Sequence, residues 1–142
     1  MESKTTEELN HEIKASTNIE DYIKDNRDNM LSHRLPEHLT LLLEKKGISK
    51  ADVVRGSLLD RTYVYQIFSG RKTPSRDKLI ALAFGLHLTA EETQKMLKLS
   101  CNRELYARDE RDSLILFALQ QQKTILETNE ILTDHSMATL GV

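Results

Sequence analysis

The chain has 142 residues, 39% hydrophobic and 30% charged, enough for one small domain with appendages and too few for two full domains. Five Gly and two Pro disfavour strand-rich folds and long structureless loops, no apolar run approaches the ~20 residues of a membrane span, and a single cysteine excludes an intrachain disulfide. The net charge of −2 conceals an asymmetry: residues 1–35 carry −3, residues 36–100 carry +4 and residues 101–142 carry −3, so an anionic partner is expected at the middle of the chain.

Residues 1–35 read as an acidic helical N-terminal extension. TTEELNHEIKAS spaces Leu9 and Ile13 helically, and NIEDYIKDNRDNML does the same with Ile19, Tyr22 and Ile23. Such a segment can dock on the body, engage a partner protein or cover a basic face. The opening MESKTTEELN lacks the basic-then-apolar order of a secretory signal. With one cysteine, a reducing compartment fits, and the cytoplasm is the expected address.

Residues 36–100 read as five short helices. Pro36 suits a first helical position, and Leu39, Leu42 and Leu43 form an i, i+3, i+4 stripe that ends at Gly47. Ser49 is an N-cap ahead of Ala51, Val53, Val54 and Leu58. Asp60 caps a third helix that buries Val64, Ile67 and Phe68 and stops at Gly70. Ser75 caps a fourth, with Leu79, Leu82, Ala83 and Leu86 on one side. Thr89 and Glu92 form a capping box on a fifth. The second and third helices are separated only by Ser57 to Leu59, so they must cross steeply, as in a helix-turn-helix.

The face of the third helix opposite the core carries Arg61, Thr62, Tyr63 and Gln66 in its first two turns. Arg can pair with guanine and Gln with adenine through two hydrogen bonds each in the major groove. Arg71, Lys72 and Arg76 follow, and Lys45, Lys46 and Lys50 lie on the approach side, where cations can hold phosphates without reading sequence. Tyr65 is expected to be the packing tyrosine of the pair Tyr63 and Tyr65.

The stretches SKADVVRGSLLDRTYVYQIFSG and RKTPSRDKLIALAFGLHLTAEE, residues 49–92, resemble the phage-repressor or Xre-type helix-turn-helix family. The likeness extends over residues 36–100. It rests on Ile-Ser before the second helix, the pattern of the third, Gly-Arg-Lys-x-Pro-Ser at 70–75 and a Leu-rich fourth helix. It implies an all-helical, five-helix domain of a bacterial, cytoplasmic regulator, often a repressor, that binds double-stranded DNA as a homodimer without cofactor or metal. By that match Arg61, Thr62, Tyr63 and Gln66 are DNA-base contacts, and Lys50, Ser69, Arg71 and Lys72 are DNA-phosphate contacts. Three positions depart from the family: Val54 where a small residue is usual, Leu58 where Gly is frequent, with Gly56 two residues earlier, and Phe68 where an acid is usual.

Residues 101–142 contain an echo of what precedes them. RDKLIALAFGLHLTAEETQKMLKLS at 76–100 aligns without a gap on RDSLILFALQQQKTILETNEILTDH at 111–135, with nine identities in 25 positions. Roughly one or two are expected by chance, so a C-terminal helical hairpin over about 109–134 is expected. It has to stack on its neighbour or on another subunit to bury its apolar face.

Other chemistry is weakly signalled. No phosphate-binding Gly loop, zinc helix or nucleophile elbow occurs, so no enzyme is expected. His33 and His38 lack a nearby cysteine, and no metal site is expected there. Cys101 is expected to be a small buried residue, and His87 and His135 to be exposed at helix ends. The second functional reading is a protein-interaction module, or an antitoxin-like partner, acting through the N-terminal helices or the C-terminal hairpin.

Overall fold

A computed structural model describes residues 4–140, without the side chains of Asp28 and of residues 31–33, so His33 lies outside what is described. Among these residues all regular structure is helical, and no helix is long and apolar enough to cross a membrane. Two acidic helices come first, α1 (Thr6–Ala15) and α2 (Ile19–Asp25), capped by Thr5 and Asn18. They pack on each other, and a 3-10 turn, Arg27–Asn29, leads from them to the body. The ammonium of Lys4 meets Glu12 and the amide oxygen of Asn26 at 2.7 Å, and Asn26 also donates to Glu12. Asn26 is fully buried and is the polar pin of this extension.

The long helix α3 spans Leu31–Lys46. It starts five residues before the expected position, and Pro36 lies inside it. At the sixth residue proline lies past the first turn and forgoes one intrahelical N–H bond, so it does not open the helix as expected. Then follow α4 (Lys50–Ser57), α5 (Arg61–Ser69), α6 (Arg76–Gly85) and α7 (Ala90–Leu99). The expected caps are in place: Ser49, Asp60, Ser75 and Thr89 each accept a hydrogen bond from a first-turn backbone N–H. The core under them is aliphatic. Leu39, Val53, Val64, Ile67, Leu79, Ile80, Leu82 and Leu86 are fully buried, each contributing about 1.5–3 kcal/mol on removal from water.

The closest crossing is between α4 and α6. A Cβ on Gly85 would lie 2.6 Å from the Val53 carbonyl oxygen, and one on Gly56 would lie 3.0 Å from the Gly85 Cα. Gly56 therefore serves a helix crossing, not the turn after α4. That turn is made by Leu58, which is left-handed at φ 60° and 43% exposed, at the place where the resembled family often has Gly.

Two further helices, α8 (Glu110–Gln120) and α9 (Ile125–Asp134), form the expected hairpin. The repeat runs past the aligned segment to Leu105 and Leu140. Thr89 with Glu92, and Thr124 with Glu127, build matching capping boxes. Buried Thr93 and Thr128 donate to the carbonyls of Thr89 and Thr124, both at 2.8 Å. The Gln94 amide brackets the backbone of Leu105, and the Asn129 amide brackets that of Leu140. Arg76 reaches the carbonyls of Arg103 and Glu104 and both carboxylate oxygens of Asp112; Arg111 reaches those of Ala138 and Thr139 and both oxygens of Asp77. Each arginine thus holds the aspartate of the other hairpin. That reciprocity is the signature of a local two-fold axis, and the packing of α6 on α9 and of α7 on α8 obeys it.

Arg76 is therefore committed to the hairpin pair and not free to hold a phosphate. Cys101 is exposed, in the left-handed region at φ 60°, and not buried as expected. His87, also left-handed, and His135 are exposed at helix ends.

Candidate functional site

The α5 helix owes its placement to two turns. Leu58 and the buried Leu59 bring the chain sharply round from α4, and Asp60 then caps α5 through the Tyr63 N–H at 3.2 Å. At its far end Gly70 takes φ 84°, and the N–H groups of Arg71 and Lys72 both return to the Gln66 carbonyl, at 2.9 and 3.2 Å. Ser69 donates to the same carbonyl at 3.1 Å. The exit loop is folded back against the outer face of α5.

One shallow concavity results, lined by Lys50, Arg61, Thr62, Tyr65, Gln66, Ser69 and Arg71. Six of the eight residues singled out in the sequence line it. The exceptions are Lys72, which is exposed beside it, and Tyr63. Tyr63 is half-buried against the core, with the Lys78 ammonium 5.8 Å from its ring centre, and burial raises its hydroxyl pKa. Tyr65 takes the outward place instead, 41% exposed, with the Lys50 ammonium 5.4 Å from its ring and 5.6 Å from that of Phe68. The two tyrosines have the reverse of the expected burial.

The charges of this face are uncommitted. Among the described residues Arg61, Arg71 and Lys72 form no ion pair. Neighbouring acids are occupied elsewhere: Asp52 closes the Ser49 capping box and pairs with Arg55, which keeps its pKa low, and Asp60 caps α5. By contrast Lys45 and Lys46, expected on the approach side, both pair with Glu92, at 3.2 and 2.7 Å. Burial pushes Glu92 upward, but these lysines and the Thr89 N–H outweigh it and hold its pKa at about 2. The result is a patch of cations, three amide or hydroxyl side chains and one flat ring on a rigid helix, able to bind an anionic polymer and hydrogen-bond to edges above it.

A second cleft, of about 640 Å³, opens between the two hairpins near the ends of α6 and α8. Its floor is apolar, with Phe84, Leu88 and Leu119, and its rim holds His87, Gln122 and Lys123. No buried side-chain polar atom there or elsewhere among the described residues lacks a partner. No group of three or more His, Cys, Asp or Glu among the described residues gathers as metal ligands would.

No family model, curated protein or solved structure matches this chain.

Proposed function

We propose that the chain is a sequence-specific DNA-binding regulator of transcription, working in the cytoplasm as a homodimer, with α4 and α5 as a helix-turn-helix and α5 as the recognition helix. The observation that supports it is the gathering of Lys50, Arg61, Thr62, Gln66, Ser69 and Arg71 on one face whose cations have no acidic partner among the described residues. Arg61, Thr62 and Gln66 read base edges in the major groove, while Lys50, Ser69, Arg71 and Lys72 hold phosphates. Tyr63, half-buried, supports the helix from behind, and Tyr65 faces the groove. Two copies present their α5 helices to successive major grooves about 34 Å apart on a near-palindromic site.

Selection of bound sequences from a random duplex pool, at two salt concentrations, tests this. An enriched two-fold-symmetric motif is expected, with log affinity falling as log salt rises. Arg61→Ala then weakens binding to that motif by about 1–3 kcal/mol and relaxes one base position, whereas Lys72→Ala weakens all duplexes alike. Binding without enrichment, and only at low salt, rejects the base-reading role.

The second reading, a protein-interaction module, draws on a different surface. The acidic helices α1 and α2 expose Ile13, Ile19 and Ile23, an apolar stripe suited to a partner helix. It gains if the pool yields no motif.

A further inference from the structure

The local two-fold axis makes each hairpin a control for the other. The outer face of α6 is covered by α4, which crosses it at Gly85. Leu79, Ala81 and Leu82 of α6 are fully buried. The residues 35 positions later on α8 are Leu114, Leu116 and Phe117. Among the described residues no helix lies across them as α4 lies across α6: Leu114 and Leu116 are only half-buried against the core, and Phe117 is 49% exposed where Leu82 is at 0%. At the crossing position itself Gln120 stands in place of Gly85, so no helix can approach α8 as closely as α4 approaches α6.

The composition of this face limits what can cover it. SLILFALQQQ, residues 113–122, is ten residues without a charge in a chain that is 30% charged. Phe117 has Ser113, Leu114, Gln120 and Gln121 as its helical neighbours. A two-fold contact sets a surface against its own copy, so any charge near the axis meets a like charge. Between Ser113 and Gln122 this face has none to meet; the nearest on it is Glu110, two turns before Phe117. A glutamine amide both donates and accepts, so Gln120 and Gln121 are each complementary to themselves across such an axis. A charged partner, in turn, would find nothing here to steer or pair it. The acidic helices α1 and α2 pack on each other, and α8 packs on α7 and α9, so α1 and α2 do not supply the cover.

We infer that the outer face of α8, centred on Phe117, is the homodimer interface, with a second copy of α8 crossing it. This deepens the proposed function by naming the partner surface, but its test needs no DNA and succeeds or fails independently of any operator.

Sedimentation equilibrium of the full chain over a wide concentration range, without nucleic acid, decides it. The wild type is expected to be a dimer. Phe117→Glu sets two carboxylates against each other in an apolar contact and is expected to weaken the dimer by about 100-fold, while helical circular dichroism is retained. Gln120→Glu at an exposed position introduces the same repulsion with no apolar loss, and carries the test if the Phe117 variant misfolds. Tyr106→Glu, about equally exposed but in the loop ahead of α8, is expected to leave the dimer intact. A monomeric wild type overturns the proposal and leaves the face to a helix of another protein. A dimer that survives both α8 variants, or that dissociates with Tyr106→Glu alone, overturns it too and puts the interface elsewhere.

Discussion

The hairpins α6–α7 and α8–α9 are built from the same hydrogen bonds and differ in what lies outside them. Capping boxes, buried threonines, the amide bracket after the second helix and the arginine on the partner hairpin's aspartate recur 35 residues apart. The first copy is pressed against α4 and its residues have become small where the helices cross. The second copy has no such neighbour and keeps larger, partly exposed side chains on the same face. Polar atoms that close a helix end are therefore fixed by the local fold, whereas apolar side chains on a helix face follow the neighbour. Equivalent substitutions in the two copies separate these contributions.

The largest difference is expected at the reciprocal ion pairs. Asp112 is 1% exposed; it takes both guanidinium nitrogens of Arg76 and the Tyr106 N–H at 3.0 Å. Asp77, its counterpart, is 45% exposed on its side chain and takes Arg111. Asp112→Ala removes a buried carboxylate and with it the acceptor shared by Arg76 and the Tyr106 N–H, and is expected to cost about 3–5 kcal/mol in urea unfolding. Asp77→Ala, facing water, is expected to cost below about 1 kcal/mol. Burial pushes the Asp112 carboxyl up, but Arg76 and the Tyr106 N–H outweigh it and its pKa is lowered. With the folded pKa below the unfolded one, its stabilisation is complete above the ordinary aspartate range and is lost as pH falls from that range through the lower folded pKa. Equal losses for the two alanine variants would show that burial does not distinguish the pairs.

The next contrast is at the helix crossing. Gly85→Ala places a Cβ within 2.6 Å of backbone, against α4, and is expected to cost about 1–3 kcal/mol as the helices are forced apart. Gln120→Ala, at the equivalent exposed place on α8, is expected to change the stability of the dilute, dissociated chain by no more than about 0.5 kcal/mol. Chemical denaturation of both variants measures the ratio. A costly Gln120→Ala would mean that α8 already has a neighbour in the unliganded protein, which the proposed dimer supplies, and the cost would then fall on dilution.

These contrasts also mark what was legible in the residues. The caps at Ser49, Asp60, Ser75, Thr89 and Thr124 were readable because a side-chain oxygen ahead of an apolar stripe is a local signal. The repeat was readable as identities, but identities do not distinguish a shift along an axis from a rotation about one; only Arg111 turning back to Asp77 does that. Gln94 and Asn129 escaped because they differ as residues while presenting the same amide. The concavity around α5 was largely legible, since Arg61, Thr62 and Gln66 follow the helical period away from the core. Tyr63 and Tyr65 exchanged places because Tyr63 meets the side of α6, and a period read from one helix does not contain its neighbour. Lys45, Lys46 and Arg76 were taken by Glu92 and Asp112, partners distant in sequence.

The smallest expected effect concerns helix ends. Helices α3 and α5 finish on Gly47 and Gly70, as the sequence suggests. Yet α6 and α8 finish on His87 and Gln122, at φ 55° and 56°, and close the same pair of backbone bonds. The left-handed region costs a side-chain-bearing residue about 1–2 kcal/mol, and glycine there gives back about 0.5–1 through the freedom of its unfolded chain. His87→Gly and Gln122→Gly are each expected to stabilise by about 0.5–1 kcal/mol, alike because the turns are alike. Both residues line the cleft between the hairpins. In the double variant the two gains are expected to add within about 0.5 kcal/mol if the turns are independent. A larger departure, read from thermal unfolding of the single and double variants, would show that the hairpins sense each other across the local axis, and would make the cleft the place where that coupling resides.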